Sequence, residues 1–211
     1  RVMSDLERTL KKALEMLERE GLARALEPGG GIDFTSNDYL GLSTSPGFRE
    51  KVRCNIDREV LSAPASRLLR GTHPRHLELE EKLAEFKGTE AALIFPTGYQ
   101  ANLGLLTSLL GPDDRVLSDE LNHASIIDGL RLSGAQKHIY RHIDPGEMEK
   151  ELARPHPGGK TFIVTESYFS MDGDIAPLER YAALAAKYSA SLLVDDAHAT
   201  GIFGPHRGSG L

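Results

Sequence analysis

The chain carries a single cysteine, Cys54, and no tryptophan in 211 residues. One thiol rules out an intramolecular disulfide and the disulfide-stapled scaffold of small secreted domains, so the expectation is a reducing cytoplasm and a small buried or half-buried thiol without a catalytic part. An excess of basic residues is missing too. Lys and Arg number 25 against 31 Asp and Glu, a formal net charge of -6, which leaves no global field to hold nucleic acid or an anionic membrane surface. No apolar run approaches the roughly 20 residues needed to span a bilayer, and the N-terminal stretch is charged and amphipathic, unlike a signal peptide. Neither a G-x-S-x-G elbow nor a Walker sequence occurs, so nothing supports a hydrolase or nucleotide-phosphatase reading. The glycines at 204, 208 and 210 only loosely approach a dinucleotide fingerprint and read as a loop. With 40% hydrophobic and 27% charged residues, what remains is a globular chain suited to small-molecule chemistry.

Periodicity orders the elements. Leucines at 6, 10, 14 and 17 form a helical stripe over residues 4 to 20, opened by Ser4 and Glu7 at capping-box spacing and closed by Gly21, which predicts a helix with one buried face. Glu27 to Gly31 marks a linker before a short extended stretch, Ile32 to Ser36, and a boundary is expected near residue 45. This gives an N-terminal helix and arm over 1–45 and a main domain over 46–211. From about residue 75 strands and helices alternate. A helix holding Leu79, Leu83 and Phe86 leads to the apolar run Ala91 to Phe95, read as a strand, and then to a helix from about Tyr99 to Leu110. Further strands are expected at Arg115 to Ser118, His138 to His142, Thr161 to Ser167 and Ser191 to Asp195, with helices near 123–133, 145–154 and 177–188. The pattern is that of an α/β fold with a mainly parallel sheet flanked by helices, in which ligands bind beyond the carboxyl ends of the strands.

Those ends are rich in polar groups. The turn Pro96 to Asn102 opens a helix whose free N–H groups suit a phosphate, although any strand-to-helix turn has this look. His123 stands at the next helix start, where an ordinary capping or surface histidine is the favoured reading of the residue taken alone. The run Thr165 to Asp174 leaves a hydrophobic strand with its polar groups in need of partners. Asp195 and Asp196 leave another, and two adjacent carboxylates there repel unless a cation or a proton donor is present. A protonated pyridine nitrogen meets that need, with His198 able to reach a neighbouring ring oxygen. A divalent metal is the weaker alternative, because His138 and His142 would sit about 13 Å apart along a strand and neither they nor His73 and His76 have cysteine partners.

Six segments in order resemble the α-oxoamine synthases, pyridoxal-phosphate (PLP) enzymes of the aspartate-aminotransferase fold. They are Ser36 to Leu42, Arg70-Gly71-Thr72, Thr97-Gly98-Tyr99, Asn122 to Ser125, Phe169 to Asp174 and Asp195 to His198. The resemblance implies the large domain of that fold, with PLP as cofactor. Asp195 would pair with the pyridinium nitrogen, His123 would stack on the ring, and Ser170 and His198 would hydrogen-bond its phenolic oxygen. Thr97, Gly98 and Tyr99 would contribute near the phosphate, Glu166 and Asn37 would lie near the reacting amino acid, and Arg24 would contact the acyl substrate. Within the family, Asp172 to Leu178 with Asp195 to Gly201 looks most like the biotin-pathway member, which condenses L-alanine with a pimeloyl thioester on coenzyme A or a carrier protein and releases carbon dioxide. A glycine-using member is the close alternative.

The same resemblance implies a homodimer and a lysine, covalently bound to the cofactor, some thirty residues beyond Asp195 to His198. None of the lysines up to the last, Lys187, stands in the required context. The expectation is therefore a fragment that lacks this lysine and the C-terminal small domain and is inactive alone. A non-catalytic subunit and a free-standing PLP-binding module are the competing readings.

Overall fold

A computed structural model describes residues 4–26, 28–56 and 60–204, and the chain divides into two compact units, Arg1–Asp38 and Tyr39–Leu211. Glycines 208 and 210 lie outside the described residues. In the first unit, α1 spans Asp5–Arg19, and the expected capping box is present: the Ser4 hydroxyl accepts the Glu7 N–H while the Glu7 carboxylate accepts the Ser4 N–H. Gly21 follows with φ +68°, a left-handed conformation that glycine adopts without steric cost. The expectation of a buried face is corrected. Leu6, Leu10 and Leu14 are 66%, 54% and 61% exposed, because an amphipathic helix buries its stripe only against a second apolar surface. The stretch expected to be extended, Ile32 to Ser36, is bent, with the Asp33 carboxylate accepting the Thr35 N–H and hydroxyl.

The second unit opens with a 3-10 turn at Leu42–Thr44 and an unforeseen helix α2, Pro46–Ile56. Cys54 lies on α2 and is exposed, not buried, with its thiol toward Glu50. Helix α3, Pro74–Lys87, is capped by the histidine pair already discounted as a metal site. His73 accepts the Arg75 N–H and donates its own backbone N–H to His76 Nδ1. No cluster of three or more potential metal ligands exists among the described residues. The run Ala91 to Phe95 is not a strand. It has no ladder partner among the described residues, and its Ile94 N–H is taken by the Glu80 carboxylate.

Helix α4, Gly98–Leu109, leads into an all-parallel sheet of β1 (Arg115–Asp119), β2 (Gln136–Tyr140), β3 (Thr161–Glu166) and β4 (Ser191–Asp195), in the order β2-β1-β3-β4. Helices α5 (Ala124–Ser133), α6 (Pro145–Leu152) and α7 (Leu178–Lys187) connect them. Strand alternation sorts the core into two layers. Val116, Phe162 and Val164 face Leu106, Ile126 and Leu130 of α4 and α5, whereas Leu117 and Ile163 face Met148, Tyr181 and Leu184 of α6 and α7. β2 ends two residues before its expected limit because the buried Asp119 carboxylate captures the next turn, binding the His142 ring at 2.9 Å and the Ile143 N–H at 3.0 Å. No described helix is long and apolar enough to cross a membrane.

Since α5 leaves β1 for one face of the sheet and α7 leaves β3 for the other, the gap between the carboxyl ends of these neighbouring strands is a topological switch point, where α/β sheets open a ligand crevice.

Candidate active site

The residues at this switch point are linked by short polar contacts. Asp195 ends β4, where it pairs in register with Glu166 at the end of β3. Its Oδ1 accepts the Ala197 N–H at 3.0 Å and its Oδ2 accepts the Asn102 side-chain amide at 2.7 Å. The two adjacent carboxylates resolve their repulsion unequally. Asp196 takes the Lys87 ammonium at 2.5 Å, the Ser167 hydroxyl at 2.7 Å and the Thr200 hydroxyl at 2.8 Å. Burial pushes the Asp196 carboxyl up, but these donors outweigh it and hold it below the usual carboxylate range. Asp195 forms no ion pair among the described residues, so of the two carboxylates it is the one left without a cation.

His123 caps α5 through its own ring: Nδ1 accepts the Ser125 N–H at 3.2 Å and lies 2.7 Å from the Ser125 hydroxyl. The structure thus bears out the capping reading of this residue. Its imidazole remains exposed, with the Tyr99 ring edge-on at 6.5 Å, and Tyr99 is itself tied to α5 by a short hydrogen bond to Asp128. Beneath His123, the buried Glu166 carboxylate accepts its backbone N–H at 2.6 Å. Burial pushes the Glu166 carboxyl up to about 7, helped by Asp195 and Asp119 and opposed by that N–H and by His142. A carboxyl with a midpoint near neutrality at a strand end is a common mark of a functional site.

Thr97 caps α4, its hydroxyl accepting the Gln100 N–H at 3.1 Å. The N–H groups of Gly98 and Tyr99 remain at the positive end of the helix dipole, and nothing lies within 4 Å of where a Cβ would stand on Gly98, so an anion can approach the backbone there. His198 Nδ1 meets the Tyr39 hydroxyl at 2.7 Å, a contact across 159 residues of chain that sequence reasoning missed. Ser170 is exposed on a tight turn closed by the Phe169 N–H to Asp174 O and the Gly173 N–H to Phe169 O, both at 2.9 Å. His142 anchors this turn from below, reaching Asp174 at 3.3 Å while holding Asp119. Asn37 and Arg24 are exposed residues of the first unit.

Of the expected set, the second unit thus brings His123, Glu166 and Asp195 into one connected cluster, with Tyr99 beside it and Thr97 and Gly98 at the adjoining helix start. The residues that complete it, Asn102, Ser125 and Lys87, were not singled out. Asn102 and Ser125 stand in the quoted turns and were legible as polar residues near a strand end. Lys87 gave no signal, because its partner lies 109 positions away.

Comparison with known proteins gives the family. Residues 30–209 match the family described as aminotransferase class I and II, and the chain belongs to that family. An 8-amino-7-oxononanoate synthase from Anaeromyxobacter sp. (strain Fw109-5) is 46% identical over 96% of this chain and 54% of its own length. One from Lysinibacillus sphaericus is 42% identical over 92% of this chain and 53% of its own. Among solved structures, a serine palmitoyltransferase from S. paucimobilis with a PLP-myriocin adduct bound superposes with a TM-score of 0.84 at 32% identity, covering 99% of this chain and 58% of that one. The 8-amino-7-oxononanoate synthase from Francisella tularensis gives a TM-score of 0.70 at 30% identity, over 84% and 49% of the two chains. The chain spans about half the length of the curated relatives it matches.

Proposed function

We propose that this chain carries the cofactor-facing part of a PLP-dependent α-oxoamine synthase of the 8-amino-7-oxononanoate synthase type, acting on L-alanine and a pimeloyl thioester. The observation that carries the reading is Asp195: a half-buried carboxylate at a strand end, aimed by an amide and a backbone N–H and unmatched by any described cation, beside an exposed imidazole and an open helix start. These residues fit a phosphorylated pyridine ring. Asp195 would hold the pyridine N–H, His123 the ring face, Ser170 and His198 the phenolic oxygen, and the Thr97-Gly98-Tyr99 backbone the phosphate. When bound, the cofactor supplies an electron sink for a carbanion at the amino acid's α-carbon.

Around that sink the chain's own groups have distinct tasks. Asp195 keeps a proton at the ring nitrogen, which is what makes the sink strong. Glu166, with its midpoint near 7, holds the His123 backbone in place and can keep or release a proton within the working pH range. Tyr39 orients His198. Asn37 and Arg24 are assigned to the amino acid and the acyl group on resemblance. The same reading carries a cytoplasmic homodimer, for which the exposed leucines of α1 offer an apolar surface, and a lysine supplied from outside this segment.

The choice of L-alanine and pimeloyl thioester over glycine or serine with other acyl groups is supported by relatives that bear the 8-amino-7-oxononanoate synthase name at 42% and 46% identity. It is tested by supplying the full-length protein with each pair and measuring carbon dioxide release and product mass. Preferred turnover of L-alanine with the pimeloyl thioester is expected. Preferred turnover of another pair would move the protein to a different member of the family, and no condensation with any pair would favour the non-catalytic subunit or binding module.

A further inference from the structure

Asn102 lies on the second turn of α4, outside the set expected to touch cofactor or substrate, yet its amide is the link between the two groups that flank the proposed ring. A carboxylate accepts hydrogen bonds and cannot donate them, so the group 2.7 Å from Asp195 Oδ2 is the Asn102 NH2. The second hydrogen of that NH2 goes to the Ser125 hydroxyl oxygen at 2.9 Å. With its oxygen accepting from Asn102, Ser125 directs its own hydrogen to His123 Nδ1 at 2.7 Å. The Ser125 backbone N–H points at the same nitrogen from 3.2 Å. Two donors converge on Nδ1, which therefore accepts, and the ring proton resides on Nε2.

The close approach that makes this chain possible is built into the helix crossing. A Cβ on Gly129 of α5 would stand 2.7 Å from the Leu106 side chain and 3.3 Å from the Asn102 carbonyl oxygen. A side chain at 129 would crowd Leu106 and the Asn102 carbonyl, so the glycine eases the close approach by which Asn102 reaches Ser125, one turn before Gly129 on the same face.

We propose that Asn102 is a positioning residue that joins Asp195 and His123 into one hydrogen-bonded unit through Ser125, aiming the carboxylate and holding the imidazole as its Nε2–H tautomer before any cofactor binds. Its consequence for catalysis rests on the proposed function, but the arrangement does not. Both the group that grips the ring nitrogen and the group that covers the ring face are then set by one side chain. A carboxylate already oriented at the ring nitrogen loses no rotational freedom on binding.

The test uses the full-length protein with Asn102→Leu, Asn102→Asp and Ser125→Ala, each checked for retained melting behaviour. Nitrogen-15 NMR of labelled histidine reports the His123 tautomer without cofactor, and a titration with PLP reports affinity. In the parent, Nδ1 should be the unprotonated nitrogen, and Ser125→Ala and Asn102→Leu should move His123 toward a mixture of tautomers. PLP affinity should fall about tenfold in Asn102→Leu, the effect of losing one hydrogen bond to a charged group. It should fall further in Asn102→Asp, which keeps the shape but sets a carboxylate against Asp195. A role in packing alone would rank Asp above Leu. An unchanged tautomer in both Ser125→Ala and Asn102→Leu, or an Asn102→Asp protein that binds PLP as the parent does, would overturn the proposal. If no variant nor the parent binds PLP while the tautomer still responds, the positioning unit stands and the cofactor reading fails.

Discussion

Replacing Glu166 with Gln should stabilise the protein at pH 8 and do so far less at pH 5. Glu166 is 5% exposed, and burial is the first cause of a midpoint near 7 in place of 4.5. A carboxyl whose folded midpoint lies above its unfolded one binds its proton more tightly in the folded state. Its contribution is therefore fully favourable below pH 4.5 and is lost as pH rises toward 7. At about 1.4 kcal/mol per tenfold change in proton affinity, charging Glu166 inside the fold costs on the order of 3 kcal/mol at pH 8. Gln keeps the volume and the acceptor oxygen that takes the His123 N–H at 2.6 Å, and it carries no charge toward Asp195 or Asp119. Urea unfolding of parent and Glu166→Gln at pH 5 and pH 8 isolates the effect: the variant should gain about 2 to 3 kcal/mol at the higher pH relative to the lower. A gain or loss of equal size at both values would refute a buried, proton-binding Glu166.

Gly129→Ala should cost about 1 kcal/mol in urea unfolding, because the new Cβ would stand 2.7 Å from the movable Leu106 Cδ1 but also 3.1 Å from Leu106 Cβ and 3.3 Å from the Asn102 carbonyl oxygen, crowding that outweighs the better helix propensity of alanine. If the helices part, PLP affinity should weaken alongside stability, since Asn102 then loses Ser125. Arg115 is 6% exposed and donates to the Glu151, Leu152 and Arg154 carbonyls at the end of α6. Arg115→Met should therefore destabilise by about 2 kcal/mol or more, as buried carbonyls lose their donors. A variant as stable as the parent would remove Arg115 as the cap of that helix.

The parallel sheet was legible because buried strands and amphipathic helices alternate over residues 115–195 with periods that differ, and β4 falls where the apolar run placed it. Two strand expectations failed for the same physical reason. Ala91 to Phe95 and the end of β2 are apolar enough to be strands, but side chains distant in sequence, Glu80 and Asp119, capture their backbone N–H groups or the turn that follows. The burial of α1 failed because periodicity reports a stripe and says nothing of what covers it. At the site, residue type and strand-end position singled out Asp195 and His123 as polar groups at one edge of the sheet. Partnership did not follow from either, so the separation of the Asp195–Asp196 pair by Lys87, and the bridge from Asp195 to His123 through Asn102, emerged only from the fold.

The central claim is that Asp195 faces the nitrogen of a bound pyridine cofactor. The direct measurement is PLP affinity and condensation turnover of Asp195→Ala in the full-length protein, with urea unfolding as the check on its fold. A folded variant with turnover abolished and PLP binding weakened is the predicted result. Near-normal turnover in a folded Asp195→Ala protein would contradict it.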